Sequence, residues 1–482
     1  MRNAMIPILG GLPTASGLAI SNLIVIEYLA NIGGMGRMLG FEFIEHNAVP
    51  NLIVSVVICL AAFFVLIDGL VDIGLFWLDP KAREARHEAL ASHRANRFAW
   101  WRALPAGLRR QAAALRAWFA GLGAPRPRPA PAEREPVPWR WYGRRLIAAY
   151  RWNLPLILGT AIVGSMVAVA ILDPWIRPKD PYAIQALIYI DARNFWAPPF
   201  PPGNGFIFGS DEMGRDILSR VIHGTRFTLM FVALIVPLRI LIALPIGLAA
   251  GWLKGAWEWW VSRIATIFGA VPMLILSATL VPTVFLPTRI TAFDNPSAPA
   301  PAEASKVLLL HVAILVLLGW PRLAESIRLM TRELSHRAFI EGAHAVGAPS
   351  WRVMRRHILP HLLPALAVIG AAEVAWLMML MTQLGVFNIT LGGNVMLESL
   401  GATAIFPDWS HMLARPVRYL WARQWILITP AVAFFIAILG FNLLAEGLRR
   451  ASQRLAIPTL PDRPSQVSPR AAAVARAQPT GD

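Results

Sequence analysis

One stretch in the second half of the chain combines charged, apolar and turn-forming residues at helical spacing. An apolar helix face recurs at i, i+4 and i+7, at Phe339, Ala343 and Val346. Arg337, Glu341 and His344 fall on the opposite face, where the side chains of Arg337 and Glu341 are close enough to pair. Gly347 permits a sharp turn, and a second short helix, 350–358, is expected to end near Pro360. The pattern predicts a helix–turn–helix elbow that acts as a rigid lever on a docked partner.

Other charged residues occur where charge is unusual. Glu373 and Arg239 each lie within an apolar run, and an ionisable residue inside a membrane span is a functional candidate by default. We expect Glu373 either to contact a peptide amine or to bond to a neighbouring helix, and Arg239 to face protein or a pore. Asp211, Glu212 and Asp216 precede a further apolar run. We interpret them as a capped turn, with a cation site as the alternative, because no further ligand is spaced to complete a shell.

Motifs for catalysis and cofactor binding are not found in the sequence. It contains no Gly-rich phosphate loop and no His-Glu-x-x-His motif. Its single cysteine, Cys59, lies in an apolar run and cannot form an internal disulfide. We therefore predict no catalytic residue, no metal site and no cofactor, so that any ATP is bound by a partner subunit.

The amino-acid composition indicates that these residues are held by membrane-spanning helices. The chain has 482 residues, of which 56% are hydrophobic and only 15% charged, and its mean hydropathy is +0.52. Since a soluble protein has about 25% charged residues, an all-α polytopic membrane fold is predicted. About 20 apolar residues cross a bilayer as a helix. Eight candidate spans meet this length approximately, at 8–30, 49–77, 153–173, 225–251, 261–286, 307–321, 362–386 and 425–446.

Charge asymmetry predicts the orientation of these spans. The segment 322–356 holds seven Arg and three Glu, whereas 173–216 holds four Lys or Arg and six Asp or Glu. Because cytoplasmic loops are enriched in Lys and Arg, we expect 322–356 inside, 173–216 outside and both termini in the cytoplasm. Three arginines on the outer side are the exception, at Arg415, Arg418 and Arg423.

The net charge of +17 also raises the possibility of nucleic-acid binding. Much of it is concentrated in 79–152, which holds 16 Lys or Arg and 5 Asp or Glu. We interpret this stretch as a cytoplasmic linker with an amphipathic helix on the lipid surface and a proline-rich spacer over 125–138. The alternative is a membrane-tethered nucleic-acid-binding protein, in which the isolated segment would bind duplex DNA with steep salt dependence.

The elbow resembles a loop of a known family. Its residues Glu341, Gly342, Ala343, Gly347, Leu359 and Pro360 are similar to the EAA loop of type I ABC importer permeases. In that family the loop is the coupling helix that sits in a cleft of the ATPase subunit. The sequence departs from the family at Gly342, where Ala is usual, and glycine costs a helix up to about 1 kcal/mol.

Further motifs in the same order narrow the resemblance to the dipeptide/oligopeptide (peptide/nickel) subfamily, C-type subunit. Its upstream motif is matched by Gly209, Asp211, Gly214, Arg215 and Asp216. Its last loop and last helix resemble 408–413 and 441–449, so the resemblance covers about 145–455. After the fifth core helix the subfamily usually has a Glu followed by L-S-F-L-G-L-G, whereas this chain has M-T-Q-L-G-V-F over 381–387 and then an extra stretch to Ile405, so we expect the outer mouth and the substrate path to differ.

The N-terminal part resembles a different subunit of the same importers. Residues 34–39 and 70–81 are similar to the closing motifs of the B-type sister permease, whose own EAA glutamate and glycine would precede Met1. The resemblance implies a two-helix sister fragment at 1–81, a basic linker at 82–143, a permease domain of six spans at 144–455 and a disordered tail at 456–482.

The function that the resemblance implies is translocation of peptides or similar small solutes across the plasma (inner) membrane. The expected partners are ABC ATPase subunits, the sister permease or its missing portion, an external solute-binding protein and the lipid bilayer, with no nucleic acid. An importer of nickel or another metal chelate remains the alternative, because the scaffold does not encode the cargo.

Overall fold

The computed structural model describes the permease part of the chain almost continuously. The described residues are 150–253 without 186, 190–194 and 204; 255–270, 273–277, 280, 300–345, 347–387, 389–390, 394–397, 401–404, 408–413 and 422–455; and isolated positions between 19 and 70, among them 22–27. Their helices are α1 (Leu154–Ile176), α2 (Ile217–Leu253), α3 (Ala256–Ala270), α4 (Ala300–Ser335), α5 (Ala338–Ala345), α6 (Ser350–Val353), α7 (Leu359–Val386), α8 (Trp409–Leu413) and α9 (Trp425–Leu455).

Five helical segments are long and apolar enough to cross a membrane, which confirms the predicted all-α, multi-pass class. They are Leu154–Ile176, Ile217–Leu253, Leu308–Ser335, Ser350–Val386 and Trp425–Gln453. The predicted span 261–286 is described only in part, as α3 and residues 273–277. Most of the spans 8–30 and 49–77, the linker 82–143 and the tail 456–482 lie outside the described residues.

Two predicted helix ends are wrong, and both errors involve proline. The span expected to end at Pro321 continues to Ser335, because α4 tolerates proline within a packed helix. The short helix expected to end near Pro360 instead joins α7 through a π-turn at Met354–Ile358. In that turn the N–H of Leu359 donates to the carbonyl of Met354, five residues back. A π-turn directly before Pro360 re-routes the backbone bonds that proline would otherwise break.

Helices α2 and α4 pack together along much of their length, and α2 also contacts α1, α3, α7 and α9. Their backbones approach closely at Gly247, where an added Cβ would lie 2.6 Å from the carbonyl oxygen of Ala324. One turn later, a Cβ on Gly251 would lie 2.7 Å from the carbonyl oxygen of Arg328. Small residues permit this close packing, which membrane helices use because lipid gives little hydrophobic drive for their association.

Contacts between helix ends divide the bundle into two sides. On one side the side-chain amide of Asn153 donates to the carbonyl of Gly447 (2.8 Å), and Glu258 pairs with Arg328 (2.7 Å). On the other side Asp173 pairs with His223 (2.7 Å). The basic elbow therefore lies on the opposite side from the described residues of 177–216 and 387–424, in agreement with the relative sidedness that the charge pattern predicts.

The segment between α1 and α2 and the segment between α7 and α9 contain short strands, which the sequence did not predict. Strands β1 (Ile188–Tyr189) and β2 (Phe195–Trp196) pair antiparallel, with Ile188 opposite Trp196. Strands β3 (Asn394–Leu397) and β4 (Gly401–Ala404) also pair antiparallel, with Asn394 opposite Ala404. The extra stretch after α7 thus contains a hairpin on the side away from the elbow.

Candidate functional site

The elbow is formed by α5, a tight turn and α6, between two membrane helices. Gly347 follows α5 with a φ of +79°, and the N–H of Ala348 donates to the carbonyl of Ala343 at 3.1 Å. A bond over five residues around a left-handed residue is a Schellman termination, which glycine adopts without strain. The chain then enters α6 after Pro349. This closed turn fixes the angle between the two short helices.

The inner face of the elbow is anchored in an apolar cluster. Ile340 is 1% exposed and packs in a cluster of buried residues that includes Leu323 and Ile327 of α4, Leu248 of α2, and Val353, Ile358 and Leu362 beyond the turn. The predicted apolar face is therefore wrong at Phe339, which is exposed and stacks on His361 with ring centroids 5.2 Å apart. The buried face of α5 is therefore rotated by one residue, because Ile340 and not Phe339 meets the apolar side chains of α2 and α4.

Glu341 lies on the outer face of α5 and is exposed. The predicted ion pair with Arg337 is wrong, because the Arg337 guanidinium pairs with Glu333 at the end of α4 (2.9 Å). The Glu341 carboxylate makes no ion pair with any residue in the described part of the chain. It is consequently free to accept hydrogen bonds from a docked partner.

The remaining residues of the predicted coupling motif lie around the same elbow. A Cβ on Gly342 would meet nothing within 4 Å, so the departure from alanine reflects no local crowding. Ala343 and Leu359 are partly buried against the apolar cluster, whereas Pro360 is exposed in the first turn of α7. The structure therefore brings all six motif residues into one elbow, and their coupling role stays a prediction.

The upstream motif forms a tied turn on the opposite side of the bundle. The Asp211 carboxylate pairs with Arg215 (2.7 Å) and Arg220 (2.6 Å) and accepts the N–H groups of Met213 and Arg215. Asp216 accepts the N–H of Ser219 (2.8 Å), which caps the start of α2. Gly214 has a φ of +76°, and a Cβ there would lie 2.0 Å from the carbonyl oxygen of Gln185. These bonds are the geometry of a capped turn. Gly209, which belongs to the same motif, packs against Trp425.

A further carboxylate on this side has no cation beside it among the described residues. Asp408 is 0% exposed and accepts hydrogen bonds from the N–H (3.1 Å) and the hydroxyl of Ser410. Burial raises the pKa of this carboxyl to about 6, against the opposing effect of the Ser410 hydrogen bonds. Asp408 follows the hairpin and precedes α8, whose Trp409 packs edge-on against Phe434 of α9.

The two charged residues predicted inside spans meet each other in the bundle. The Arg239 guanidinium, 0% exposed, donates from Nη1 to Oε1 of Glu373 at 2.6 Å and from Nε and Nη2 to the carbonyl of Leu315. The other carboxylate oxygen, Oε2, accepts from Nη2 of Arg322 at 2.6 Å. Both oxygens of Glu373 are thus engaged by arginines of α2 and α4, which matches the expected bond to a neighbouring helix.

Sequence reasoning missed Arg322 because the helix was expected to end one residue earlier, at Pro321. It also missed Ile340, because the spacing of Phe339, Ala343 and Val346 assigned the apolar face to the neighbouring positions. A signal for Arg322 exists in the sequence: among residues 308–323 it is the only Lys or Arg. A charge so isolated in an apolar run predicts a buried partner or a watery face.

Comparison with known proteins agrees with this architecture. Residues 243–456, which include α4, the elbow, α7 and α9, match the family described as binding-protein-dependent transport system inner membrane component. The matched region contains Glu341 and Glu373 and begins within α2.

Several curated permeases are similar over most of their own length. The chain is 26% identical over 310 residues to the probable D,D-dipeptide transport system permease protein of Escherichia coli (strain K12), covering 64% of this chain and 91% of that protein. It is 27% identical to the nickel transport system permease protein of the same organism, covering 62% and 93%. It is 26% identical to the glutathione transport system permease protein of Pectobacterium atrosepticum, covering 65% and 90%. Together with the five membrane helices, these matches show a multi-pass transport component that is similar, over somewhat less than two thirds of its length, to permease subunits of binding-protein-dependent transport systems.

Proposed function

We propose that the chain is the C-type half of an inner-membrane importer and that its elbow receives the ATPase subunit. The observation that carries this proposal is the division of α5 into two faces. Ile340 is buried between α2, α4 and the start of α7, while Glu341 is exposed one residue later. A partner that holds Glu341 therefore holds a helix that cannot move without the membrane helices behind it.

The buried charges within the membrane helices support the same mechanism. Glu373 joins α7 to α2 through Arg239 and to α4 through Arg322. Because breaking a buried pair is costly, we expect these three helices to rock together when the ATPases close. Such rigid-body rocking is the movement that alternating access requires.

We infer that the elbow side is cytoplasmic and that both termini lie there. The arginine-rich elbow supports this orientation, since positively charged loops are retained inside. The segments 177–216 and 387–424 then face outward, where the external binding protein would deliver its solute. Their ties to each other, including the Arg423 guanidinium on the carbonyl of Pro199 (2.7 Å), suit a stable docking platform.

We further propose that residues 1–81 serve as part of the sister permease. The described helical residues 22–27 support this, because Ile24 is 4% exposed and the Gln383 amide donates to the side-chain oxygen of Asn22 at 2.9 Å. The basic linker would tether the two parts and raise their effective concentration.

For the cargo we propose peptides or similar small solutes, with nickel or another metal chelate as the second candidate. The dipeptide and glutathione permeases named above favour the first, and the nickel permease, at 27% identity, favours the second. Among the described residues, no group of three or more His, Cys, Asp or Glu side chains is placed to hold a metal ion.

Uptake into proteoliposomes tests this proposal. The chain would be reconstituted with its ATPase subunits, any further permease portion and the binding protein, and given labelled dipeptide or labelled nickel. We expect ATP-dependent accumulation of the peptide. Accumulation of nickel alone would transfer the function to the second candidate, and no ATP-dependent uptake of either would contradict the proposal.

A further inference from the structure

Arg322 combines a position deep in the membrane bundle with an exposed side chain. Its partner Glu373 lies 13 residues before the end of α7, about 20 Å along the helix axis at ~1.5 Å per residue. The Arg322 side chain is nevertheless 54% exposed, whereas those of Glu373 and Arg239 are 3% and 0% exposed. A charged group at this depth is costly against lipid, so its exposed side must face water.

The two sides of α4 support a watery face at this residue. Leu309 and Leu317 are 65% and 57% exposed and define an apolar stripe in the first part of the membrane segment. Arg322 lies five residues after Leu317, about 140° around the helix. The exposed and partly exposed positions that follow recur on the Arg322 face, at Ser326, Leu329 and Glu333. The stripe suited to lipid and the face that carries charge are thus different faces of one helix.

The charge balance of the cluster favours an anion. Two guanidinium groups surround one carboxylate, which leaves an excess of one positive charge. Both oxygens of Glu373 already accept from arginines, so the carboxylate is poorly placed to bind a peptide amine. Arg322 donates to Glu373 from Nη2, and none of its other guanidinium N–H groups has an acceptor among the described residues. These remaining donors match a carboxylate, which arginine can bind with two parallel hydrogen bonds.

An aromatic surface adjoins these donors. The Arg322 guanidinium carbon lies 4.2 Å from the ring centroid of Trp376, one turn after Glu373 on α7. Trp376 is partly exposed and offers an apolar platform beside the charge. Since cation–π stacking and the Glu373 bond both orient the guanidinium, its free edge is held in place before a ligand arrives.

We propose that Arg322, oriented by Glu373 and Trp376, forms a carboxylate-binding site on the water-facing wall of the translocation pathway. Its ligand is the carboxylate of an anionic or zwitterionic solute, such as the C-terminus of a peptide. This inference rests on the proposed transport function and names the part of the solute that this wall recognises. Arg322 touches the solute, whereas Glu373 acts as a positioning residue.

Water access is tested first. In the assembled importer with Cys59→Ser, Arg322→Cys is expected to react with a membrane-impermeant thiol reagent added to both faces of the membrane. Leu317→Cys, equally exposed but on the apolar stripe, is the matched control and should remain unlabelled. Failure to label position 322 would overturn the proposal and would indicate that Arg322 is covered by lipid or by the sister subunit.

Carboxylate recognition is tested by equilibrium binding to the importer in nanodiscs, without ATP or binding protein. The probes are one labelled dipeptide and its C-terminally amidated form. We expect at least tenfold tighter binding of the free-carboxylate form, loss of this preference in Arg322→Gln, and partial retention in Arg322→Lys. Equal binding of the two probes, or a preference that survives Arg322→Gln, would overturn the proposal. Because this binding assay uses no ATP, its result is independent of ATP-driven uptake. A failure of uptake would count against the proposed transport function, whereas a failure of carboxylate preference would count against the site at Arg322.

Discussion

Two glutamates on neighbouring elements have opposite environments. Glu341 is exposed on the elbow and has no ion-pair partner among the described residues, whereas Glu373 is 3% exposed and bound by two arginines. The first carboxylate is available to another protein. The second is fully used within the chain. The residue type is the same, and the surroundings leave the carboxylate of Glu341 available to a partner while that of Glu373 is used to join helices and to orient Arg322.

These two environments predict that substitutions at Glu341 and Glu373 affect transport and fold stability separately. Removing a surface carboxylate usually changes stability by no more than about 0.5 kcal/mol, while removing one partner of a buried pair is strongly destabilising. A loss of transport at Glu341 with an intact fold would therefore indicate coupling. A loss at Glu373 would mainly indicate disruption of the bundle.

The largest effect is expected from Glu373→Ala. The substitution leaves Arg239, which is 0% exposed, as an uncompensated charge in the bundle, at a cost of roughly 3–5 kcal/mol. Denaturant or thermal unfolding in detergent would measure this loss against the unaltered protein. The double variant Arg239→Met with Glu373→Leu should recover most of it, since it removes both charges. A cost below about 1 kcal/mol for Glu373→Ala would show that the ion pair does not hold these helices.

The next effect concerns Asp408, a carboxylate that is buried like Glu373 but has no cationic partner in the part of the chain that the structure describes. Burial raises its pKa from 3.8 to about 6, so the folded state binds its proton more tightly than the unfolded state does. The stabilising contribution is complete below about pH 4 and is lost as pH rises through 6, a change of about 3 kcal/mol at 1.36 kcal/mol per pH unit. Asp408→Asn, which mimics the protonated form, should remove this pH dependence from the unfolding free energy measured between pH 4 and 7. An unchanged profile would exclude Asp408 as its source.

A smaller effect is expected at Gly342, next to Glu341. A Cβ there would meet nothing within 4 Å, and alanine is favoured over glycine inside a helix by up to about 1 kcal/mol. Gly342→Ala should therefore stabilise α5, measured as increased amide protection of the elbow in hydrogen exchange, without loss of transport. Reduced protection would mean that the elbow requires glycine for a reason other than space.

Much of the bundle could be predicted from hydropathy and charge. The spans around α1, α2, α7 and α9 were predicted within a few residues at most ends, because long apolar runs leave little choice in a membrane. The error at Pro321 arose because proline ends exposed helices but is tolerated where neighbouring helices support the backbone. The short strands of the segment 388–405 carry too few residues to produce a pattern of alternation.

The elbow was predicted in position but not in detail. Glycine at 347 and the helical spacing located the turn, whereas the rotation that buries Ile340 depends on the cluster from α2 and α4, which no local pattern contains. The partner of Arg337 likewise depended on where α4 ends. Long-range packing determines which of two nearly equivalent helix faces is buried, and the local sequence does not contain that information.

The most direct test of the account is the Glu341→Ala variant in the reconstituted importer, with Glu333→Ala as its matched control. Both residues are exposed glutamates near the elbow, and both substitutions should change unfolding stability by no more than about 0.5 kcal/mol. We predict that Glu341→Ala abolishes most ATP-driven uptake and most stimulation of ATP hydrolysis by loaded binding protein, while Glu333→Ala retains both. Normal uptake by Glu341→Ala would contradict the claim that this carboxylate couples the ATPase to the membrane helices.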